Sequence, residues 1–407
     1  MNQFVSRLIL VKFINMKKVN LFFLIFSTLF VLESCGNIED LNLTDQINDE
    51  ESTHLSQYIN QNEAQEIANI VLKHNATKAE DPLIEYVLNS GTHTRSYEAL
   101  PDTLAYIINY PDNKGFVIVS GDRRVYPVLG FSYEGNFNTT NEIAETNFID
   151  NIENYLIQAD EETLFDINDG YFDSCYELPP KVQISLSQGD PWDKYVIKDH
   201  PGCPVGCVAV ATGLVMSHCK FILDYNGITY YLQPMIQAIK NGSTTNTNNP
   251  SQTQDLKPTN PPKYTYTQAV DYMARILYQI GLDVNMTYSI GSSSANSVNA
   301  YNLCRSLGYE IPSGYATYNI EDITEYLKDG HIIYLKGTNI NNNNGHAWVV
   351  DGCNYCVDSK DETKILDSYL HCDWGWGGTG NGYFSGSVFN VNNRSYKPMN
   401  YFAVKIE

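Results

Sequence analysis

The sequence predicts an α+β protein with two folded domains, and three observations support this prediction. Of the 407 residues, 43% are hydrophobic, which is typical of packed domains rather than of disordered chains. In the second half of the chain, segments with helical apolar spacing precede short apolar strands, an order expected when helices and an antiparallel sheet pack as separate layers. A segment at 166–180, which contains Gly170, Pro179 and Pro180, separates this half from an earlier strand-rich part. We therefore place a domain boundary at residue 180.

The first 35 residues predict export. An apolar run at 21–32 follows Lys17 and Lys18, and at twelve residues it is too short for a membrane-spanning helix, which needs about 20. This pattern, with the small Ser34 before Cys35, is typical of a secretory signal peptide. Residues 32–35 also resemble a bacterial lipobox, in which the cysteine becomes lipidated, and an ordinary cleaved signal is the alternative. We expect a protein that is secreted or is held at the cell envelope by a lipid on Cys35.

The net charge excludes one class of partner. Lys and Arg total 26 against 47 Asp and Glu, a formal net charge of −21. Because such a field repels phosphate backbones, nucleic acid is not an expected partner. Contact with a membrane is expected only through the possible lipid on Cys35.

Residues 36–180 predict a small α+β domain. A helix over 62–73 has an apolar face that includes Ala64 and Ile67. Short runs rich in Tyr, Val and Ile follow, separated by turn residues, and a second helix is predicted at 146–160. The strands are predicted at 84–88, 104–109, 115–119 and 125–131.

Residues 181–407 predict helices followed by a sheet. The helix over 207–222 is the most apolar, and the helix over 266–280 is expected to end at Gly281. A polar loop at 241–262 separates them. A further helix is predicted at 294–307, and strands are predicted at 332–336, 347–350, 363–369 and 382–385.

Eight cysteines follow Cys35, and an exported protein is expected to pair some of them, although the sequence leaves the pairing open. Cys353 and Cys356, near His371 and Cys372, have a spacing that also suggests zinc, but no second pair of closely spaced cysteines accompanies them. A local crosslink or buried free thiols are therefore expected there. No metal and no other cofactor is predicted.

Cys207 is the leading candidate for a nucleophile. It begins the most apolar predicted helix, and the partial positive charge of a helix N-terminus stabilises a thiolate and lowers the cysteine pKa. The same backbone N–H groups can hold an oxyanion. Packing alone also explains a cysteine at the start of a buried helix. Cys203 is a weaker candidate because Pro204 follows it and no helix does.

Two further motifs complete a possible catalytic group, although each alone is also explained by structure. His346 opens an apolar strand, where a cleft can reach the imidazole. Residues 373–378 read Asp-Trp-Gly-Trp-Gly-Gly, and these glycines suit a tight turn. Cys207 precedes His346 by 139 residues, a spacing typical of papain-like proteases.

Four motifs in the same order resemble the streptopain family of bacterial cysteine peptidases. They are Gln188-Gly189-Asp190-Pro191-Trp192, Gly206-Cys207-Val208-Ala209, the segment from Gly345-His346-Ala347 to Asp351-Gly352, and Trp374-Gly375-Trp376-Gly377-Gly378. Upstream, residues 113–122 are similar to a strand of that family's propeptide. The resemblance implies a papain-like α+β cysteine endopeptidase at 181–407, made as a zymogen with an inhibitory prodomain at 36–180. The implied partners are protein or peptide substrates and the chain's own prodomain.

The resemblance also implies roles for single residues. Cys207 is the thiolate that attacks a peptide carbonyl, and His346 holds the proton and later returns it. Gln188 corresponds to the family's oxyanion-hole glutamine, and Trp374 shields and orients the imidazole. The family usually has asparagine where this chain has Asp373, and a carboxylate close to His346 is expected to raise the pKa of the imidazole.

Two other functions remain open on the sequence. One is a catalytically silent surface lipoprotein that binds a partner, and the other is a Cys-His acyltransferase of the transglutaminase type. The presence of Cys207, His346 and Gln188 together argues against the silent protein.

Overall fold

The computed structural model describes ten stretches of the chain. The signal peptide and lipobox predicted at 1–35 lie outside these residues, as does most of the loop predicted at 241–262. Among the described helices, none is long and apolar enough to cross a membrane. The described stretches are 55–72, 81–89, 100–139, 143–160, 163–167, 175–242, 262–338, 345–358, 361–389 and 399–407.

The helices follow the apolar periodicity and begin at capping residues. Asn60 and Thr265 each cap a helix start through a capping box, which satisfies backbone N–H groups that have no partner inside the helix. The described helices are α1 Gln61–Val71, α2 Ile143–Ile157, α3 Val196–Asp199, α4 Cys207–Cys219, α5 Leu232–Lys240, α6 Tyr266–Asp283, α7 Ser297–Ser306, α8 Ile320–Lys328 and α9 Gly386–Phe389.

The helix predicted to end at Gly281 continues through it. A side chain there would meet the hydroxyl of Tyr288, since a Cβ built on Gly281 would lie 2.1 Å from that oxygen. The glycine therefore permits the close approach of Tyr288 and is not a C-cap. The helix ends instead after Asp283.

Most of the strands form one sheet that runs through both predicted domains. Among the described residues eleven strands belong to it, in the order β1-β2-β3-β4-β14-β13-β12-β11-β15-β10, with β5 paired to β12. The strands are β1 Leu83–Leu88, β2 Thr103–Asn109, β3 Phe116–Ser120, β4 Val128–Ser132, β5 Cys175–Leu178, β6 Ile222–Tyr225, β7 Ile228–Tyr231, β8 Thr287–Ser289, β9 Ser292–Ser294, β10 Ala316–Thr317, β11 Ile332–Thr338, β12 Gly345–Asp358, β13 Asp361–Asp373, β14 Gly382–Ser385 and β15 Asn400–Val404.

Two features join the part before residue 180 to the part after it. Strand β4 pairs antiparallel with β14, and the rings of Phe131 and Tyr383 stack at 5.1 Å across this seam. The segment predicted as a linker contains β5, which is held to β12 by a disulfide between Cys175 and Cys356. The cysteine expected to crosslink locally therefore pairs with a residue 181 positions earlier, and Cys353 is a buried free thiol.

Two hydrophobic cores support the site. One surrounds α4, in which every residue after Cys207 is buried. The other contains side chains from both parts of the chain, because Phe148 on α2 and Phe384 on β14 belong to the same cluster as Trp348 and Trp374. The side chains of the first part therefore pack on the aromatic residues of the second.

Candidate active site

Cys207 lies at the start of a buried helix, as the sequence predicts. The preceding Gly206 has a φ of 92°, and a Cβ there would lie 2.8 Å from the Met286 Cε atom, so glycine is required at this entry. The backbone N–H groups of Ala347, Val208 and Cys207 itself act to lower the pKa of the thiol.

The expectation of a lowered cysteine pKa is nevertheless wrong for this structure. Burial raises the pKa of the Cys207 thiol, and this effect outweighs the backbone N–H groups that oppose it. The cause is desolvation, which disfavours the charged thiolate. The neutral thiol is therefore the favoured form of Cys207 in this structure.

His346 is the second residue of β12 and is 4% exposed. Its Nε2 atom lies 3.0 Å from the backbone carbonyl oxygen of Trp374. Because a carbonyl oxygen only accepts, Nε2 carries the hydrogen, and in the neutral ring Nδ1 is then the basic nitrogen. Burial lowers the pKa of His346 to about 4, although the bond to the Trp374 carbonyl acts in the opposite direction.

Cys207 contacts the residue that follows His346 in the sequence. Helix α4 packs against β12, and the Cys207 thiol interacts with the backbone N–H of Ala347, the residue that follows His346. Among the hydrogen bonds of the described residues, none joins the Cys207 sulfur to the His346 ring. The structure thus brings the two residues to one place without an ion pair between them.

Aromatic rings enclose His346. The ring of Trp376 is nearest, with its centroid 5.1 Å from that of the imidazole, and Trp348 and Trp374 follow at 5.9 and 6.5 Å. Trp374 is expected to shield the imidazole, and it does contact the ring, but its carbonyl makes the orienting hydrogen bond. Trp376 is a contact residue that the sequence reasoning did not single out, although it stands in the same Trp-Gly-Trp motif.

Glycines dock the Trp-Gly-Trp turn on α4. Gly375 has a φ of 76°, and a Cβ there would lie 2.8 Å from the Cγ1 atom of Val210, which is about one helical turn after Cys207. The Gly377 N–H donates to the Leu186 carbonyl at 2.8 Å. A larger residue at Gly375 would therefore push the turn away from the helix start.

Gln188 lies beside the chain that leads into α4. Its carbonyl accepts a hydrogen bond from the Val205 N–H at 2.8 Å, two residues before Cys207. The Gln188 side chain is partly buried. The role of the Gln188 side chain as an oxyanion-hole donor stays a prediction.

Asp373 is not the partner of His346. Its Oδ1 atom accepts the backbone N–H of Gly375 at 3.0 Å, so the carboxylate faces its own turn. Burial raises the pKa of Asp373 to about 6. The expectation that Asp373 raises the pKa of His346 is therefore wrong, because the Trp374 carbonyl occupies that place and burial lowers the pKa of the imidazole.

The other candidates from the sequence lie apart from this chemistry. Cys203 is 7% exposed, and its sulfur faces the Pro201 carbonyl at 4.0 Å. Cys356 is bonded to Cys175 in a disulfide and has no free thiol to bind a metal. In the described part of the chain, no group of three or more His, Cys, Asp or Glu side chains is arranged to hold a metal ion.

A cysteine at the start of a buried helix, packed on a strand that carries a histidine, is the arrangement of papain-like cysteine peptidases. The protein is a cysteine peptidase of this class, preceded by a domain that packs on it. A sequence profile of the peptidase C10 family matches residues 186–384, and a profile of the Spi protease inhibitor matches residues 56–156. Residues 186–384 therefore form a peptidase domain of the C10 family, the family of streptopain.

Several known proteins are similar over most of this chain. Streptopain of Streptococcus pyogenes is 25% identical over 349 residues, which cover 78% of this chain and 81% of streptopain. The thiol protease/hemagglutinin PrtT of Porphyromonas gingivalis is 25% identical over 322 residues, 71% of this chain and 34% of PrtT. A solved fragment of prointerpain A from Prevotella intermedia is 20% identical with a TM-score of 0.48, and the match covers 79% of this chain and 98% of that one.

These findings confirm the predicted family, the cysteine peptidase activity and the papain-like α+β fold with its prodomain. The chain is a cysteine peptidase zymogen that has peptide or protein substrates and carries its own inhibitor domain. The boundary at residue 180 and the roles of single site residues stay predictions.

Proposed function

We propose that this protein is an exported cysteine endopeptidase in which Cys207 and His346 form the reactive pair after the prodomain leaves. One observation carries the proposal. The His346 Nε2–H is fixed on the Trp374 carbonyl, which makes Nδ1 the proton acceptor, while the Cys207 thiol lies at the backbone N–H of the adjacent Ala347. These two contacts support a proton exchange between the Cys207 thiol and Nδ1 of His346.

The reaction begins when the thiol proton passes to Nδ1 of His346. The thiolate sulfur bonds to the peptide carbonyl carbon, and the carbonyl π electrons move to the oxygen. The Cys207 N–H and the Gln188 side-chain amide hold this oxyanion, and loss of one such donor lowers the rate by about 10²–10³-fold. Collapse breaks the C–N bond, and the leaving amine takes the proton from His346.

A water molecule completes the cycle. It gives a proton to Nδ1 of His346 and attacks the thioester carbon, which forms the acid product when the C–S bond breaks. The sulfur then regains its proton or its ion pair with His346. Each step uses His346 with the Nε2–H still held by Trp374.

Inhibition by the prodomain follows from desolvation in this proposal. Burial raises the pKa of Cys207 and lowers the pKa of His346, so the neutral pair is favoured over thiolate and imidazolium. Removal of the prodomain takes Phe148 away from Phe384 and Phe389, the rings that pack on Trp374, and in this proposal water then reaches the wall around His346 and diminishes the pKa shift of its imidazole. The ion pair then forms near neutral pH.

Export is the second part of the proposal. The signal pattern at 1–35 supports it, and so does the disulfide between Cys175 and Cys356, since such bonds persist in oxidising compartments. We include lipid attachment at Cys35 because of the lipobox-like residues 32–35. Mass spectrometry of the N-terminus of the exported protein tests it. A diacylglyceryl group on Cys35 is expected, and an unmodified N-terminus at another residue would contradict lipidation.

Labelling with an epoxysuccinyl inhibitor tests the activity. We expect the processed enzyme to carry the label on Cys207 and to digest casein until it is labelled. A label on Cys207 without casein digestion would contradict the peptidase proposal in favour of an acyltransferase. Absence of any label would favour a silent binding protein. A label on Cys203 together with digestion would contradict the choice of nucleophile.

A further inference from the structure

A carboxylate–imidazole pair, with a buried carboxylate and a partly buried ring, lies behind the catalytic turn. Asp351 is fully buried on β12, and its Oδ1 atom lies 2.6 Å from Nδ1 of His371 on β13. The other oxygen, Oδ2, accepts the backbone N–H of Val182 at 2.7 Å. A buried carboxylate requires such partners, because an unpaired charge away from water costs several kcal/mol or more. None of the roles described above uses this pair.

A β-bulge places Asp351 where it can reach His371. The register between β12 and β13 pairs Val350 with Cys372 and then shifts before Gly352, which pairs with His371. Asp351 is the extra residue at this shift. Bulges re-aim a side chain and fix where the pairing of two strands changes.

The pair is connected to His346 by a short path on each strand. His346 and Asp351 both lie on β12, five residues apart. His371 lies on β13, three residues before Trp374, whose carbonyl holds the His346 Nε2–H. The hydrogen bond between Asp351 and His371 therefore joins the bulge of β12 to the end of β13, just before the Trp-Gly-Trp turn.

We propose that Asp351 and His371 are positioning residues for catalysis, because their bond fixes the end of β13 so that the Trp374 carbonyl stands at hydrogen-bond distance from His346. This inference rests on the proposed role of His346. The pair does not touch substrate, and it acts only through the turn. A displacement of reacting groups by 1 Å can cost about 10²-fold in rate.

The charge of His371 is set by groups on several elements. The net effect of these groups is to raise the pKa of His371 against the burial that lowers it. The imidazolium is therefore favoured, and its contribution is complete below the ordinary histidine pKa and is lost as pH rises through the raised value. The groups that face His371 are Asp351 on β12, Asp373 on β13, Glu134 after β4 and Tyr383 on β14. The Tyr383 hydroxyl donates to Glu177 on β5. Lys181 interacts with Asp351, the partner of His371.

The test compares variants of the processed enzyme made from the full chain. For His371→Ala we expect kcat to fall by about 10²-fold with KM changed by less than about twofold. His371→Asn is expected to recover part of this loss, because its amide can still donate to Asp351. His331→Ala is the matched control, since His331 is a buried histidine whose Nδ1 is bonded to the backbone carbonyl of Tyr326.

The pH profile separates positioning from a merely structural role. The Trp374 carbonyl raises the pKa of His346, so loss of its alignment is expected to move the alkaline limb of kcat/KM to lower pH in His371→Ala. A structural loss would lower the height of the profile without moving its limbs. That result would overturn the proposal, as would wild-type kcat in a folded His371→Ala enzyme or an equal loss in His331→Ala.

A second variant keeps the test decisive if His371→Ala does not fold. Asp351→Asn preserves shape and removes the charge, and we expect a loss of kcat of about tenfold or more with the same shift of the alkaline limb. Wild-type kcat and an unmoved limb in this variant would overturn the proposal. Activity that survives Cys207→Ala would instead show that the proposed function itself is wrong, so the two failures are distinguishable.

Discussion

Replacing Phe148 by alanine is expected to weaken the docking of the prodomain on the peptidase domain. Phe148 lies on α2 and is 1% exposed. Its ring centroid lies 5.0 Å from that of Phe384 and 5.5 Å from that of Phe389, both in the peptidase part. These two rings pack in turn on Trp374, at 5.2 and 6.3 Å. Phe148 is thus one layer removed from the wall around His346.

The size of the effect follows from this burial. Phe→Ala in a core costs about 3–5 kcal/mol, from lost burial and from the cavity left behind. Because both ring neighbours belong to the peptidase, much of this cost falls on docking. A loss of about 3 kcal/mol changes the docking equilibrium by about 150-fold. In the Phe148→Ala zymogen we expect the population with an undocked prodomain, and so an open active site, to rise by about that factor.

The assay measures two rates on the full-length zymogen. One is the alkylation of Cys207 by iodoacetamide, followed by mass spectrometry, and the other is the time course of self-processing. Both are expected to rise by about two orders of magnitude, in line with the docking equilibrium. Tyr86→Ala is the control, because Tyr86 is an exposed aromatic on β1 at the far edge of the sheet. Wild-type rates in a folded Phe148→Ala zymogen would refute this reasoning.

Three further changes test other features of the structure. Gly206→Ala is expected to cost about 1–3 kcal/mol in urea unfolding, because φ is 92° and Met286 fills the space for a side chain, whereas an unchanged midpoint would contradict this. Cys356→Ser is expected to lose about 2–5 kcal/mol, since the bond to Cys175 closes a loop of 181 positions, and reduced wild type should match the variant. Asp373→Asn is expected to be up to about 3 kcal/mol more stable than wild type at pH 7. The reason is that the pKa raised to about 6 makes ionisation of the folded carboxyl costly, and calorimetry should show no gain below pH 4.

Apolar periodicity predicts much of the fold. Helix α4 begins at Cys207 and β14 covers 382–385, both as predicted. The prediction fails where a residue serves a tertiary contact, as at Gly281, which admits Tyr288 instead of ending its helix. It also could not show that β4 joins β14, because pairing between distant strands leaves no local signal.

The disulfide shows the same limit. Cys356 stands three residues from Cys353, and this spacing suggests a local crosslink. Its real partner is Cys175, because β5 pairs with β12 and brings the two cysteines opposite each other. Sequence distance does not reveal such a neighbour.

The candidate site is predictable in its parts and less so in its electrostatics. Cys207 begins its helix as the motif predicts and contacts Ala347, the residue after His346, but the direction of the cysteine pKa shift depends on burial that a sequence does not display. Asp373 is adjacent to the correct orienting group, yet a backbone carbonyl, at Trp374, fills the role expected of a side chain. Every residue has a backbone carbonyl, so a sequence motif does not indicate which carbonyl will bind the imidazole.

The central claim is that the Cys207 sulfur is the nucleophile activated by His346. Self-processing of the full-length chain measures it most directly, by the appearance of the mature fragment in purified Cys207→Ala and Cys203→Ala proteins. We predict that Cys207→Ala stays intact while Cys203→Ala matures at nearly the wild-type rate. Maturation of Cys207→Ala, with an uncleaved Cys203→Ala chain, would contradict the account.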